Sequence, residues 1–193
     1  MKPEPACVIL AAGRGERFGS DKRRAAGPWN GPLLHHVLDL YRPLFAKLAV
    51  VIGPDDLFGA EACARIAAIP LVNPEAEQGM GRSLAVGADW LIGQGAVSAV
   101  IGLADMPWIA PSTIAAVAAE GARSEKPVAP AHDGKIGFPR SLPASLFPSL
   151  SALTGDRGAS AVFDWSQALW LDCADPGILR DIDTKDDIWG RIS

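Results

Sequence analysis

The stretch from Ala6 to Lys22, ACVILAAGRGERFGSDK, combines the residue types that hold a small anion. It opens as an uncharged run, Ala6 to Ala12, with the length and β-branched character of a buried strand. It then breaks into Gly13-Arg14-Gly15-Glu16-Arg17-Phe18-Gly19. Glycines let a backbone turn sharply and bring its N–H groups close to an anion, and the neighbouring cations offset phosphate charge. From Arg14 to Arg24 five Lys or Arg face two acids, a net +3 inside a chain of net charge −4. A positive knot in an acidic protein points to a discrete anionic ligand and away from nucleic acid.

Two familiar glycine loops are excluded by spacing. A Rossmann G-x-G-x-x-G would need its third glycine one residue before Gly19, and charged residues follow where an apolar helix should open. Asp39 stands where a ribose-binding acid would be sought, but alone it carries little. The NTPase pattern G-x-x-x-x-G-K-[ST] fits no register. The loop is therefore a third kind of nucleotide loop, or a plain glycine-rich turn.

Other residues could complete a phosphate site. Asp105, in Leu103-Ala104-Asp105-Met106-Pro107, leaves an apolar run on rigid backbone. Magnesium takes one or two carboxylates and fills its sphere with phosphate oxygens and water, which suits Asp105; a turn-initiating Asp-x-Pro or a helix cap is the other reading. Asp183, in Asp181-Ile182-Asp183-Thr184, is a second candidate ligand, with helix capping as its alternative. Lys22 and Arg17 can reach phosphate oxygens and stabilise charge that develops in a transition state, or form a solvated basic turn, the reading given to Arg23 and Arg24. Asn73 before Pro74 caps a turn or meets a base or ribose. Gly79-Met80-Gly81-Arg82-Ser83 offers N–H groups and a hydroxyl at a helix start, where the dipole favours anions. Gly155-Asp156-Arg157-Gly158-Ala159 reads as a turn and cap that shapes an acceptor pocket.

The elements that must position these residues alternate. Helical faces are expected over Pro32–Arg42, from Asp55-Asp56 towards Ala68, over Gly79–Ile92, and from Pro111-Ser112 to Gly121. Strands are expected over Leu48–Gly53, Ile69–Asn73 and Ser98–Ala104. Gly13, Asn73 and Asp105 then each sit just past the carboxyl end of a strand, the crevice in which open α/β sheets bind ligands. The last third is less regular. Short strands over Pro127–Pro130 and Lys135–Phe138 flank an Asp133-Gly134 turn. Arg140–Leu150 reads as loop with a helical turn and Arg157–Ser166 as a helix. Ala168–Asp172 reads as a strand, Ile178–Asp183 as extended, and Thr184 as the cap of a final helix. The fold class is α/β, with a mostly parallel central sheet covered on both faces.

At 193 residues, 49% hydrophobic and 21% charged, the chain suits a single domain. No run approaches the roughly 20 apolar residues of a membrane span, and MKPEPACVIL lacks a signal-peptide layout. Cys7, Cys63 and Cys173 fit no zinc spacing and read as buried thiols, so a cytoplasmic location is expected. His35, His36 and His132 form no metal pattern.

The blocks Leu10-Ala11-Ala12-Gly13-Arg14-Gly15-Glu16-Arg17-Phe18-Gly19 through Lys22, Gly31-Pro32-Leu33-Leu34, Asn73-Pro74 with Gly79-Met80, Leu103 to Pro107, Gly155 to Ala159 and Asp181 to Thr184 together resemble MobA-like nucleotidyltransferases, in the family's order. The Ala-Ala-Gly form of the loop is similar to the CTP-using molybdenum-cofactor cytidylyltransferases; GTP-using relatives usually carry Ala-Gly-Gly. The resemblance implies a Rossmann-like three-layer α/β/α fold of the nucleotide-diphospho-sugar transferase type. It implies nucleotide on Leu10, Ala11, Ala12, Gly13, Gly15 and Lys22, joined by Asn73, Gly79 and Ser83. It implies Mg2+ on Asp105, shared with Asp183, and phosphate contacts from Lys22 and Arg17. The implied reaction moves CMP from CTP to the terminal phosphate of molybdopterin and expels pyrophosphate, with a molybdoenzyme maturation protein as a further implied partner.

The chain departs from the family at Gly134-Lys135-Ile136-Gly137-Phe138, where Gly-His-Pro is usual, and at Ser160, Lys185 and Arg23-Arg24-Ala25-Ala26-Gly27. Lys135 could meet an acceptor phosphate or be an ordinary hairpin lysine. Two alternatives follow. One is a sibling that moves UMP or GMP onto a sugar phosphate or another phosphorylated cofactor. The other is a catalytically idle nucleotide-binding partner in molybdoenzyme maturation.

Overall fold

The computed structural model describes residues 5–13, 15 and 18–189. Strand β1 (Ala6–Leu10) is the uncharged run at the amino end, and Cys7, Val8 and Ile9 on it have no exposed surface. Helix α1 (Leu33–Tyr41) buries Leu33, Leu34, Val37, Leu38 and Tyr41, the face expected from its period. Strand β2 (Leu48–Ile52) and helix α2 (Leu57–Arg65) follow. The Asp56 side chain accepts from Gly59 N and caps α2. The helix stops at Arg65, short of Ala68, because Ala67 takes a left-handed φ of 52°. Then come β3 (Ile69–Val72), α3 (Met80–Gly93), β4 (Ser98–Leu103) and α4 (Pro111–Gly121).

Pro111 opens α4 as expected, but its cap comes from far along the chain. Asp175 is buried and accepts from Ala110 N at 2.9 Å and from Thr113 Oγ1 at 2.6 Å. No local pattern announces this carboxylate.

Among the described residues the sheet has eight strands; with β5 (Val128–His132), β6 (Lys135–Ile136) and β7 (Arg140–Pro143) the order is β3-β2-β1-β4-β7-β5-β6, and β8 (Leu169–Asp172) pairs with β5. β1, β2, β3 and β4 run parallel, and Ile9 lies opposite Val50 on one side and Gly102 on the other. β5 (Val128–His132) and β6 (Lys135–Ile136) form the expected hairpin, with Asp133 and Gly134 both at positive φ. The reading of Arg140–Leu150 as loop with a helical turn needs correction. Arg140–Pro143 is strand β7, wedged antiparallel between β4 and β5, and α5 (Phe147–Ser151) follows. Four residues that end in proline carry no strand period; the neighbouring strands supply the hydrogen bonds. Arg157–Ser166 is likewise not one helix but two 3-10 turns, Ala159–Ala161 and Trp165–Gln167. Of Ile178–Asp183, expected to run extended, Ile178 and Leu179 belong instead to a 3-10 turn, Pro176–Leu179. Asp187 accepts from the backbone of Thr184 and from its hydroxyl, which closes the start of α6 (Lys185–Trp189).

Two cores cover the sheet. One packs α1, α2 and α4 against Cys7, Ile9, Val50 and Val100; the other packs α3 and α5 against Val8, Val51, Ala99 and Ile101. The layers are therefore α/β/α. Among the described residues no helix is long and apolar enough to cross a membrane.

One packing contact has a pH signature. His35 on α1 stacks on Phe58 of α2 at 5.5 Å, and its Nε2 is buried without a partner among the described residues. Burial, assisted by Arg65, lowers the His35 pKa below its ordinary 6.5. As pH falls through that ordinary value the unfolded chain takes up the proton first, so the contribution present above it is lost below it. Urea midpoints should therefore fall more between pH 7 and pH 5 for the wild type than for His35→Gln; parallel profiles would remove His35 as a cause.

Candidate active site

Three chain segments leave the carboxyl edge of the sheet side by side. Ala11 N donates to Val51 O, Ala104 N to Leu10 O and Asn73 N to Ile52 O, so the strand ladders continue one step into the loops. The strand order reverses direction about β1, which puts the crevice between β1 and β4. A cavity of about 630 Å³ opens there. Leu10, Ala11, Ala12, Gly13, Gly15, Lys22, Gly79, Ser83, Asp105 and Asp183 all line it. Arg17 lies outside the described residues. Asn73 does not line the cavity: it is fully buried, donates Nδ2 to Ser83 Oγ at 3.1 Å and accepts from Glu75 N. Its side chain thus fixes the orientation of the Ser83 hydroxyl from behind.

Lys22 is the centre of the charge arrangement. Its Nζ donates to Asp105 Oδ2 at 2.8 Å and to Ile182 O at 2.8 Å, and lies 3.5 Å from Asp183 Oδ1. Only 12% of its side chain is exposed. The Lys22 stem passes Gly15, where a Cβ would come within 3.1 Å of it, and Gly15 has a φ of 61°. A side chain here would be strained and crowded at once. The segment after Arg180 is held in place because Ile182 N donates to Asp105 O. That bond brings Asp181 beside Asp105 and Asp183, and the three carboxylates offer oxygens within 4.8 Å of one another. Asp181 was not singled out as a ligand in the sequence; its alternation with Asp183 across Ile182, which is buried, was the available signal. Burial raises the Asp181 pKa, and the charges of Asp105 and Asp183 push the same way.

Arg23 is not the solvated turn residue that the sequence suggested. It bridges Asp21, through Nε at 2.8 Å, and Asp56, which caps α2, and it donates Nη1 to Ala11 O at 3.0 Å. Burial opposes its charge, yet the hydrogen bonds and charges of Asp21 and Asp56 outweigh that and raise its pKa. Arg23 therefore clamps the loop after β1 onto the start of α2. Arg24 keeps the exposed role and covers the Phe58 ring at 4.1 Å.

The start of α3 closes the opposite wall. Gly79 has a φ of 106°, and a Cβ there would lie 2.6 Å from Asp156. Asp156 accepts from Met80 N at 3.3 Å, which makes the 155–158 turn the cap of α3. Asp156 also lines the cavity.

These residues can do a definite kind of chemistry. Glycine-loop backbone, a helix start and a lysine suit a polyphosphate. The carboxylates suit a hard divalent cation, which prefers oxygen ligands. The fit is supported by Asp105 Oδ1, which is buried and has no hydrogen-bond partner among the described residues. Such an oxygen is costly unless something satisfies it.

Comparisons with known proteins agree with this arrangement. The MobA-like NTP transferase domain matches residues 7–169. The bifunctional protein GlmU of Gluconacetobacter diazotrophicus is 37% identical over 97 residues, 49% of this chain and 20% of that protein. The 2-C-methyl-D-erythritol 4-phosphate cytidylyltransferase of Cereibacter sphaeroides is 32% identical over 133 residues, 66% of this chain and 59% of that protein. The chain thus spans less than two thirds of either curated relative. Among solved structures, Rv0371c of Mycobacterium tuberculosis superposes with a TM-score of 0.74 at 24% identity, over 97% of this chain and 96% of that one. Its complex with manganese gives 0.70 at 24% identity over the same shares. Molybdopterin-guanine dinucleotide biosynthesis protein A of Archaeoglobus fulgidus gives 0.68 at 17% identity over 95% of each chain. At these identities the structures establish a shared fold.

The Lys22 contact leads to a paired prediction. In Lys22→Met the carboxylates lose their internal counter-cation, so Mn2+ titrated without nucleotide should bind several-fold more tightly, followed by electron paramagnetic resonance. In Asp105→Asn it should bind at least tenfold more weakly. Equal affinity in all three proteins would remove these carboxylates as a metal site.

Proposed function

The chain belongs to the MobA-like NTP transferase family, and on that premise we propose that it transfers CMP from CTP to the terminal phosphate of a molybdopterin-type cofactor. In this reading an oxygen of the acceptor phosphate bonds to the α-phosphorus as the bond to pyrophosphate breaks. Such a transfer depends on in-line placement and charge neutralisation more than on a protein nucleophile. The observation that carries the reading is the convergence of Lys22, Asp105 and Asp183 on the cavity beneath the glycine loop.

The chain's own groups have separable tasks in this reaction. Backbone N–H groups of the loop at Gly13 and Gly15, with the start of α3, would receive the triphosphate. Lys22 would exchange its carboxylate partners for phosphate oxygens and offset the charge that builds on the leaving group. Arg23 would hold the loop without touching substrate, since Asp21 and Asp56 engage it. Magnesium bound by Asp105, Asp181 and Asp183 would supply further neutralisation of the triphosphate. Met80 and the backbone of Ala11 and Ala12, which line the same cavity, would border the base.

Cytidine is favoured by the Ala11-Ala12-Gly13 form of the loop and by the cytidylyltransferase at 32% identity. That same relative acts, by its name, on a polyol phosphate, so a sugar-type phosphate acceptor is the second reading.

Purified protein with magnesium should release pyrophosphate from CTP faster than from ATP, GTP or UTP when molybdopterin is the acceptor. Turnover with 2-C-methyl-D-erythritol 4-phosphate instead would move the assignment to the second reading. Nucleotide binding with no turnover on any acceptor would leave a catalytically idle nucleotide-binding partner. Lys22→Ala should lower the melting temperature and, at a temperature where the variant remains folded, slow the transfer at least tenfold.

A further inference from the structure

Arg140 opens β7 directly opposite Ile101 on β4, two residues before the cavity-lining Leu103. Two residues of strand span about 7 Å, so the Arg140 backbone lies one strand over and one arginine length from the cavity edge. The side chain shares the sheet face of α3, whose first turn forms that cavity's wall.

Its surroundings are unusual for an arginine. The guanidinium lies 4.5 Å from the Phe138 ring centre and 4.2 Å from that of Trp165. Trp165 is itself buried and is fixed from behind, because Trp170 Nε1 donates to its carbonyl. Arg140 Nε donates to Gly137 O at 3.1 Å. Among the described residues no carboxylate pairs with Arg140 and no acceptor meets its Nη groups. Arg23, beside the glycine loop, is by contrast paired with Asp21 and Asp56. Aromatic rings thus flank the guanidinium, while its outer N–H groups have no partner among the described residues and stay open to solvent or a ligand. Burial without a counter-charge lowers its pKa to about 10.

We propose that Arg140, set between Phe138 and Trp165, is the anion-binding residue of the acceptor subsite and takes the phosphomonoester of the second substrate. The assignment rests on the nucleotidyltransferase reading only for the word acceptor; the anion site itself rests on the geometry. A planar guanidinium with a free edge matches two oxygens of a phosphate at once, which an ammonium cannot do. The position lies two residues past the Gly134–Phe138 segment, and it replaces Lys135 as the candidate. Lys135 is exposed at the hairpin tip, whereas Arg140 is half-buried and oriented by its neighbours.

The test uses the full chain and phenyl phosphate as the probe, by calorimetry, first without nucleotide and then with magnesium and a non-hydrolysable CTP analogue. Wild type should bind the probe in both conditions. Arg140→Met should weaken it at least tenfold and Arg140→Lys several-fold, with analogue affinity within twofold of wild type in every case. The melting temperature of Arg140→Met should stay level or rise, since an uncompensated charge leaves the interior; a structural arginine would lower it. Equal probe affinity in wild type and Arg140→Met, or no probe binding by wild type, overturns the proposal. Failure of the CTP analogue to bind wild type would instead count against the nucleotidyltransferase reading, while the probe alone still decides Arg140.

Discussion

The ammonium of Lys22 reaches Asp105, 83 residues away, and the carbonyl of Ile182, 160 residues away, and it does so with almost no exposure to solvent. This one cation ties the loop after β1, the loop after β4 and the carboxy-terminal segment into a single wall. An exposed ion pair contributes about 0–1 kcal/mol, and removal of one partner from a buried pair costs roughly 3–5 kcal/mol. The Lys22–Asp105 pair, with 12% and 24% of its side chains exposed, lies between those limits. The acids are close enough to repel one another, so a cation has to stand among them.

The sheet makes that meeting possible. Parallel strands β1 and β4 sit side by side and end level, with Leu10 opposite Leu103. Whatever follows either strand is delivered to the same edge. The positions just past those ends are therefore close in space whatever the distance between them in the chain. Arg23 extends the logic to the next strand: its pairing with Asp56 holds the glycine loop to α2, which starts beyond β2. The loop that must approach an anion is thus braced by a second ion-pair set, whose arginine borders the cavity but is already engaged by Asp21 and Asp56.

The charges also divide into two kinds of role. Arg23 is satisfied on several sides and is structural; Lys22 is satisfied by groups that a metal and a triphosphate would also claim. Arg140 is held by rings and one carbonyl only. Cations that hold a fold together are neutralised within it, whereas those that await a ligand carry incomplete pairing, at a cost in stability.

Much of this was legible in the chain itself. The uncharged runs at β1, β2 and β4, the apolar face of α1 and the glycine loop follow from periods of two or 3.6 residues and from backbone chemistry, which are local properties. Asp105 stood out because a carboxylate directly after a buried strand has few places to go. Other features had no local trace. β7 is a strand because β4 and β5 lie on either side of it; the Asp175 cap of α4, the third carboxylate Asp181 and the pairing of Arg23 with Asp56 join residues that no sequence period relates. Hydrophobic periodicity decides which face of an element is buried. Which polar groups then face one another depends on the path of the whole chain, and only the folded structure contains that path.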